Sequence, residues 1–315
     1  MSNIDLVYLD YIIPKNSVSI EQFVDQIDKE HIPAMFDSRE DYLMFTQAVL
    51  GLEYLKIETE NNHEELLDKL IKKMLGSCEI KPEDIDLIIL TEEKRLDTKK
   101  NLGKYIQHRY SMANAFVLNI SGNHCANMAY AWTMVNKCFS HTDHIKNILI
   151  LNASITDAIC DRVIGTYGVL SDGAGLMLLK KERGICSLLD TVALSKGALN
   201  KVDMNQDNSI THLKYTNRSI MELLTRNAVQ INQVKKIITQ NANPMLLTNA
   251  LAAESFDLDR IFIDNIGRLG HIDSVDFIVN LKDVIDSGTL NKNDLLVAFN
   301  MGWAGSYVSS LISLN

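Results

Sequence analysis

One pattern constrains this chain more than any other: the second half repeats the first. Ile88-Ile89 lies 149 residues before Ile237-Ile238, and Ile148 lies 147 before Leu295. Phe116, Asn119 and Ile120 lie 146 before Phe262, Asn265 and Ile266. Each set sits in a short apolar run of strand length, with a helix-period stretch between runs. Three strand pairs at nearly constant offset are the mark of an internal duplication. A chain of 315 residues is too long for one simple core, so two fused copies of one α/β unit account for its length.

Local patterns mark the elements of each copy. Leu6–Ile13 is expected as a strand ending at Pro14, and Ser19-x-x-Gln22 has capping-box spacing and opens a helix through Ile27. Asn61–Glu64 starts an amphipathic helix carrying Leu66, Leu67, Leu70, Ile71, Met74 and Leu75. Ile85–Thr91, Ala115–Ile120, Asn147–Asn152 and Leu176–Lys180 are expected as strands, with a helix near Ala126–Cys138. The second half offers Gln233–Ile238, Arg260–Asn265 and Asp294–Phe299 as strands. Its helices are expected around Met221–Leu224 and near Ser274–Ile285. Helices alternating with continuous apolar strands indicate a layered α/β fold. The halves are expected to divide as 1–170 and 171–315. Four prolines and fifteen glycines leave no linker between them, so they must pack face to face.

Composition narrows the function. The net charge is −9, and the basic clusters Lys99-Lys100 and Lys180-Lys181 are short, which argues against a nucleic-acid binder. No apolar run approaches a membrane span, and Met1–Asp5 does not open a signal peptide, so a cytoplasmic protein is expected. Five cysteines in such a chain are expected as free thiols. His141-Thr142-Asp143-His144 lacks further ligands and reads as a solvated loop, so no metal is expected.

The same offset of 146 sets Cys125 opposite His271. Each follows a strand and a glycine-containing turn, and each stands at a helix entrance. A pseudo-twofold axis between the halves would bring thiol and imidazole together. The thiolate is the nucleophile, and both a helix N-terminus and a histidine base favour it. Cys78, Cys138, Cys160 and Cys186 are read as ordinary core cysteines and His124 as structural.

With those residues in view, the chain resembles the thiolase superfamily, nearest its β-ketoacyl-acyl-carrier-protein synthase III branch. The resemblance is carried by Ile80-Lys81-Pro82-Glu83-Asp84-Ile85-Asp86-Leu87-Ile88-Ile89, by Cys125 before Ala126-Asn127-Met128-Ala129, and by Ser171-Asp172-Gly173-Ala174-Gly175. Gln240-Asn241-Ala242-Asn243 and the closing loop at Gly302 complete it. The resemblance implies a thiolase-like duplicated five-layer α-β-α-β-α fold and a homodimer, or a heteromer with a related subunit. It implies no bound cofactor: the substrate is an acyl thioester of coenzyme A or of a phosphopantetheine-bearing acyl-carrier protein. Cys125 would take the acyl group, with the amides of Cys125 and Gly302 as oxyanion hole and Asn241 and Asn243 on the substrate.

The departures are specific. Gln240 stands where the family has histidine, and Gly270-His271 stands where synthase III enzymes have asparagine, giving a Cys125–His271 dyad with Gln240 as neutral donor. Arginine is absent from Pro244-Met245-Leu246-Leu247, and the tryptophan and arginine used by relatives against coenzyme A are not evident in Asp41–Tyr54. The acidic balance also sits poorly with an acidic carrier protein. The expectation is an acyltransferase or condensing enzyme of specialised metabolism; the alternative is a non-catalytic thiolase-fold subunit supporting a partner.

Overall fold

Why the apolar strands carry no polar alternation is answered by their position: nearly all are covered on both faces. A computed structural model describes residues 4–92, 101–199, 208–254 and 256–315; the Lys99-Lys100 cluster and Met1–Asn3 lie outside them. Ten strands form one sheet: β1 (Asp5–Ile12), β2 (Leu87–Thr91), β3 (Phe116–Ile120), β4 (Asn147–Ser154), β5 (Gly173–Lys180), β6 (Cys186–Ser195), β7 (Val234–Ile238), β8 (Ile261–Phe262), β9 (Leu295–Gly302) and β10 (Ser306–Leu314). Their spatial order is β8-β7-β9-β10-β6-β1-β5-β4-β2-β3. Outward from the central pair the first half runs β1-β5-β4-β2-β3 and the second β6-β10-β9-β7-β8. The two halves therefore have the same topology. β1 and β6 meet through an antiparallel contact at Asp5–Ser187 and Leu6–Cys186.

The helices are α1 (Ile20–Gln26), α2 (Arg39–Ala48), α3 (His63–Ser77), α4 (Leu102–Arg109), α5 (Asn127–Met134), α6 (Ser209–Arg226), α7 (Pro244–Leu251), α8 (Ile266–Leu269) and α9 (Asp276–Asp286). Strand alternation assigns them to layers. Leu87, Ile89, Ile148 and Ile150 share one core with Leu296 and Ala298 of the other half, with α5 and α9 between them. Ile88, Leu90, Leu149 and Leu151 face the opposite way, onto α3 and α4. Val297 and Phe299 face α6 and α7. The result is the five-layer α-β-α-β-α arrangement. Trp132 and Phe277 meet edge to face at 5.7 Å and join the two central helices.

Local signals hold where they rest on side-chain chemistry. Ser19 and Gln22 form the capping box of α1. Asn62, one residue later than the expected start, caps α3 with Glu65. The seam between the halves moves. β5 pairs with β1 and β4, so the first half extends to Lys180 and its end is not at residue 170. The expected strand Arg260–Asn265 shrinks to Ile261–Phe262: Asn265 already stands in helical backbone at the entrance of α8, and its side chain donates to Asn280 and Asp283. Among the described residues no helix is long and apolar enough to cross a membrane.

Candidate active site

Cys125 and His271 stand at matching entrances. A left-handed residue precedes each: His124 at φ 49° and Gly270 at φ 67°. Glycine suits the second position for another reason too. A Cβ on Gly270 would lie 2.6 Å from Ser171 Oγ and 2.8 Å from Leu55 Cδ2. A non-glycine residue in this conformation is uncommon, and His124 holds it immediately before the nucleophile candidate. A short 3₁₀ turn, His124–Ala126, then leads into α5.

The two side chains meet across the halves. His271 Nε2 lies 3.1 Å from Cys125 Sγ, and both residues are buried. His271 Nδ1 lies 2.5 Å from Oδ2 of Asp276, which has no exposed surface. The Asp276 carboxylate also accepts the Ile272 N–H at 2.9 Å and the Asn241 N–H at 2.7 Å. The main chain of His271 is pinned by its N–H to Val169 O and by the Ser171 N–H to its own carbonyl.

A cavity of about 320 Å³ opens on Cys125. Its apolar wall includes Ile155, Val163, Ile164, Leu170 and Trp303, and its polar wall includes His63, Glu92, Asp157 and Asp273. Burial pushes His63 below the usual histidine range, with Asp157 and Asp172 pulling the other way. Trp303 stands edge-on to Tyr167 at 4.0 Å. Burial raises the Tyr167 hydroxyl well above the usual phenol value, with Tyr307 and Cys125 adding to the effect. Its O–H donates to Met301 Sδ at 2.9 Å.

Asp172 explains the Ser171–Gly175 motif. It is fully buried and paired with Arg162 through two contacts, at 2.8 and 2.9 Å. It also accepts the N–H of Thr156 and of Glu58, so it holds the cavity wall in place. The glycines of the motif make room for α9 and its approach. A Cβ on Gly173 would lie 2.9 Å from Ile272 Cγ2, and one on Gly175 would lie 2.7 Å from Ile278 Cδ1.

Other expected site residues have different positions. Gln240 is buried; its Nε2 donates to the Cys125 carbonyl at 2.9 Å and its Oε1 accepts the Met301 N–H at 2.9 Å. Its amide therefore joins main chain from the two halves, and it makes no bond to the thiol or imidazole. Asn241 is a correction. Its side chain accepts from Asn280 in the interior and it does not line the cavity. Asn243 is a second correction: its Oδ1 caps α7 at Met245 N and its Nδ2 donates to Thr166 O. The Asn241 oxygen thus serves an interior side chain, and the Asn243 amide serves main chain. Gly302 packs against the turn that leads to Cys125, where a Cβ would lie 2.0 Å from Asn123 O.

Arg162 and Tyr167 carry no mark in the sequence, whereas Asp276 leaves a trace, as a lone acid within the apolar stretch Val275–Val279 five residues after the candidate base. For metals, Asp28, Glu30 and His31 bring ligand atoms within 4.8 Å of one another at the surface, apart from the cavity-lining residues.

No protein-family model matches the chain. It is similar to the β-ketoacyl-acyl-carrier-protein synthase III of Clostridium perfringens (strain ATCC 13124), at 21% identity over 339 aligned positions covering 100% of both chains. Among solved structures, the ChlB3 acyltransferase superposes with a TM-score of 0.83 at 16% identity, over 99% of this chain and 98% of the other. Xanthomonas campestris OleA superposes with a TM-score of 0.81 at 12% identity, over 99% and 98%. The chain has the thiolase-like fold of these structures and is similar along its whole length to β-ketoacyl-acyl-carrier-protein synthase III enzymes.

Proposed function

We propose that this protein is an acyltransferase of the condensing-enzyme type, which takes an acyl group from a thioester onto Cys125 and passes it to an acceptor. The observation that carries the reading is the 3.1 Å contact between His271 Nε2 and Cys125 Sγ beside the cavity. The imidazole takes the thiol proton, the thiolate attacks the thioester carbonyl, and the leaving thiol recovers the proton. The acyl-enzyme then discharges to an acceptor deprotonated by the same nitrogen. The amides of Cys125 and Gly302 are the proposed donors to the tetrahedral oxygen, supported by the packing of Gly302 against Asn123, two residues before the nucleophile.

The donor is proposed to be an acyl thioester of coenzyme A or of an acyl-carrier protein, which brings its own activation and calls for no bound cofactor. A homodimer acting in the cytoplasm, within specialised metabolism, completes the proposal. The missing docking residues and the Gln240 replacement support a specialised role over fatty-acid initiation. The assembled Cys125–His271 pair supports an enzyme over a non-catalytic subunit, which would have no need of it. Intact-mass spectrometry after incubation with a panel of acyl-CoA and acyl-carrier thioesters tests this. A single acyl increment that is lost in Cys125→Ala is expected; no increment across the panel, or one that survives the substitution, overturns it.

A further inference from the structure

The carboxylate of Asp276 is the least expected group in the central layer. It has no exposed surface, it sits in the first turn of α9, and its neighbours Phe277 and Ile278 are core residues. A buried carboxylate is costly unless its lone pairs are occupied. Here two main-chain N–H groups, from Ile272 and Asn241, and one imidazole nitrogen occupy them. We propose that Asp276 is a positioning residue for acyl transfer, fixing the tautomer and plane of His271 and stabilising the imidazolium that forms when Cys125 gives up its proton. This rests on the reading of Cys125 as the acyl-accepting nucleophile.

An ionised carboxylate only accepts, so the hydrogen of neutral His271 is on Nδ1 and the Nε2 lone pair faces Sγ at 3.1 Å. The reverse tautomer would set two acceptors against each other at 2.5 Å. Gln240 cannot replace this function, because its Oε1 and Nε2 are bonded to main chain. In the first step the Sγ proton passes to Nε2, the S–C bond to the acyl carbon forms, and the bond to the donor sulfur breaks. That sulfur leaves with the Nε2 proton. In the second step an acceptor's proton passes to Nε2, its bond to the acyl carbon forms, and Cys125 departs as thiolate beside the imidazolium. Asp276 keeps its charge throughout and faces positive charge in both steps.

Alkylation of Cys125 by iodoacetamide, followed by peptide mass spectrometry across pH, tests this without any acyl substrate. The other titratable groups around the pair are His63, Glu92, His124, Asp157, Asp161 and Asp273 on the cavity wall, with Tyr167 close to the thiol; all are unchanged in the variants. The native protein is expected to inflect below the free-thiol value of about 8.5. Asp276→Asn is expected to move the inflection upward and to slow acyl transfer by about 10³- to 10⁴-fold, the scale of a wrong tautomer. Asp276→Glu is expected to restore part of both. A folded Asp276→Asn protein with the native alkylation profile and transfer within threefold overturns the proposal. If that variant does not fold, ¹⁵N NMR of His271 in the native protein decides: Nδ1–H supports the proposal and Nε2–H overturns it. Failure of every thioester to acylate Cys125 would remove the acyltransferase reading, yet the alkylation profile would still report on Asp276.

Discussion

Gln240 joins the two halves of the molecule at Cys125: its Nε2 donates to the Cys125 carbonyl and its Oε1 accepts the Met301 N–H, each at 2.9 Å. Gln240→Ala would leave a buried carbonyl and a buried N–H without partners. Leaving such groups unsatisfied costs about 1–3 kcal/mol each, so a loss of about 2–6 kcal/mol is expected in urea unfolding. Acylation should slow as well, because the nucleophile's own main chain loses its anchor. A variant as stable and as fast as the native protein would refute this role.

The five cysteines should separate by reactivity. Burial, with help from the Asp5 carboxylate, pushes the Cys186 thiol far above its usual range, and burial raises Cys78 as well. Cys138 is exposed. Alkylation at neutral pH is expected to mark Cys125 and Cys138 and to leave Cys186 untouched until denaturant is added. Peptide mapping checks the order, and early labelling of Cys186 would contradict the packing.

The Arg162–Asp172 pair should be costly to break. Its two side chains are 3% and 0% exposed, and removing one partner strands a buried charge. Asp172→Ala and Arg162→Met are each expected to destabilise by about 3–5 kcal/mol. Because Asp172 also holds Thr156 and Glu58, the cavity wall should loosen, which limited proteolysis of the 155–162 segment would report.

Two glycine substitutions should have opposite signs. Gly173→Ala places a methyl 2.9 Å from Ile272, the neighbour of His271, so about 1–3 kcal/mol of overpacking and slower acylation are expected. Gly76→Ala lies in α3 with nothing within 4 Å of the new methyl, and a gain of about 0.5–1 kcal/mol is expected. Thermal melts of the pair provide the comparison.

Acid should weaken the α3–α4 contact. Partial burial raises the Asp68 carboxyl, but Lys72, Tyr110 and Arg109 outweigh that and hold it well below the carboxylate range. A depressed carboxylate contributes stability above its unfolded value of about 3.9, and that contribution disappears as pH falls toward the folded value. Asp68→Asn is therefore expected to be less stable than the native protein at neutral pH. The gap should close as pH falls below about 4, as denaturant titrations at each pH would measure.

Much of this architecture was legible before the fold was seen, because its signals are local or periodic. Paired runs such as Ile88-Ile89 and Ile237-Ile238 need two covered faces, and Ser19–Gln22 announces a helix start through its own hydrogen bonds. Strands β6 and β10 were not legible. β10 carries Ser306, Ser309, Ser310 and Ser313, and the buried Ser309 hydroxyl is satisfied by Ser219 Oγ at 2.8 Å from a distant helix. Gly173–Lys180 likewise has no local mark of the half it joins, and pairing with β1 and β4 decides it.

By itself, the sequence determined that two α/β units would pack face to face and that Cys125 and His271 would occupy equivalent places in them. It also carried the residues of the Ser171–Gly175 turn. Only the tertiary structure decided what the polar side chains do. Gln240, Asn241 and Asn243 carry similar amides in one short segment, yet one joins the halves, one fills an interior network and one caps a helix. The reason is range: a hydrogen bond acts over about 3 Å, so a side chain's role depends on which main-chain and side-chain groups the packed halves bring that close. Asp276 became the partner of His271 by that route, as the first turn of α9 set its carboxylate behind the imidazole that faces Cys125.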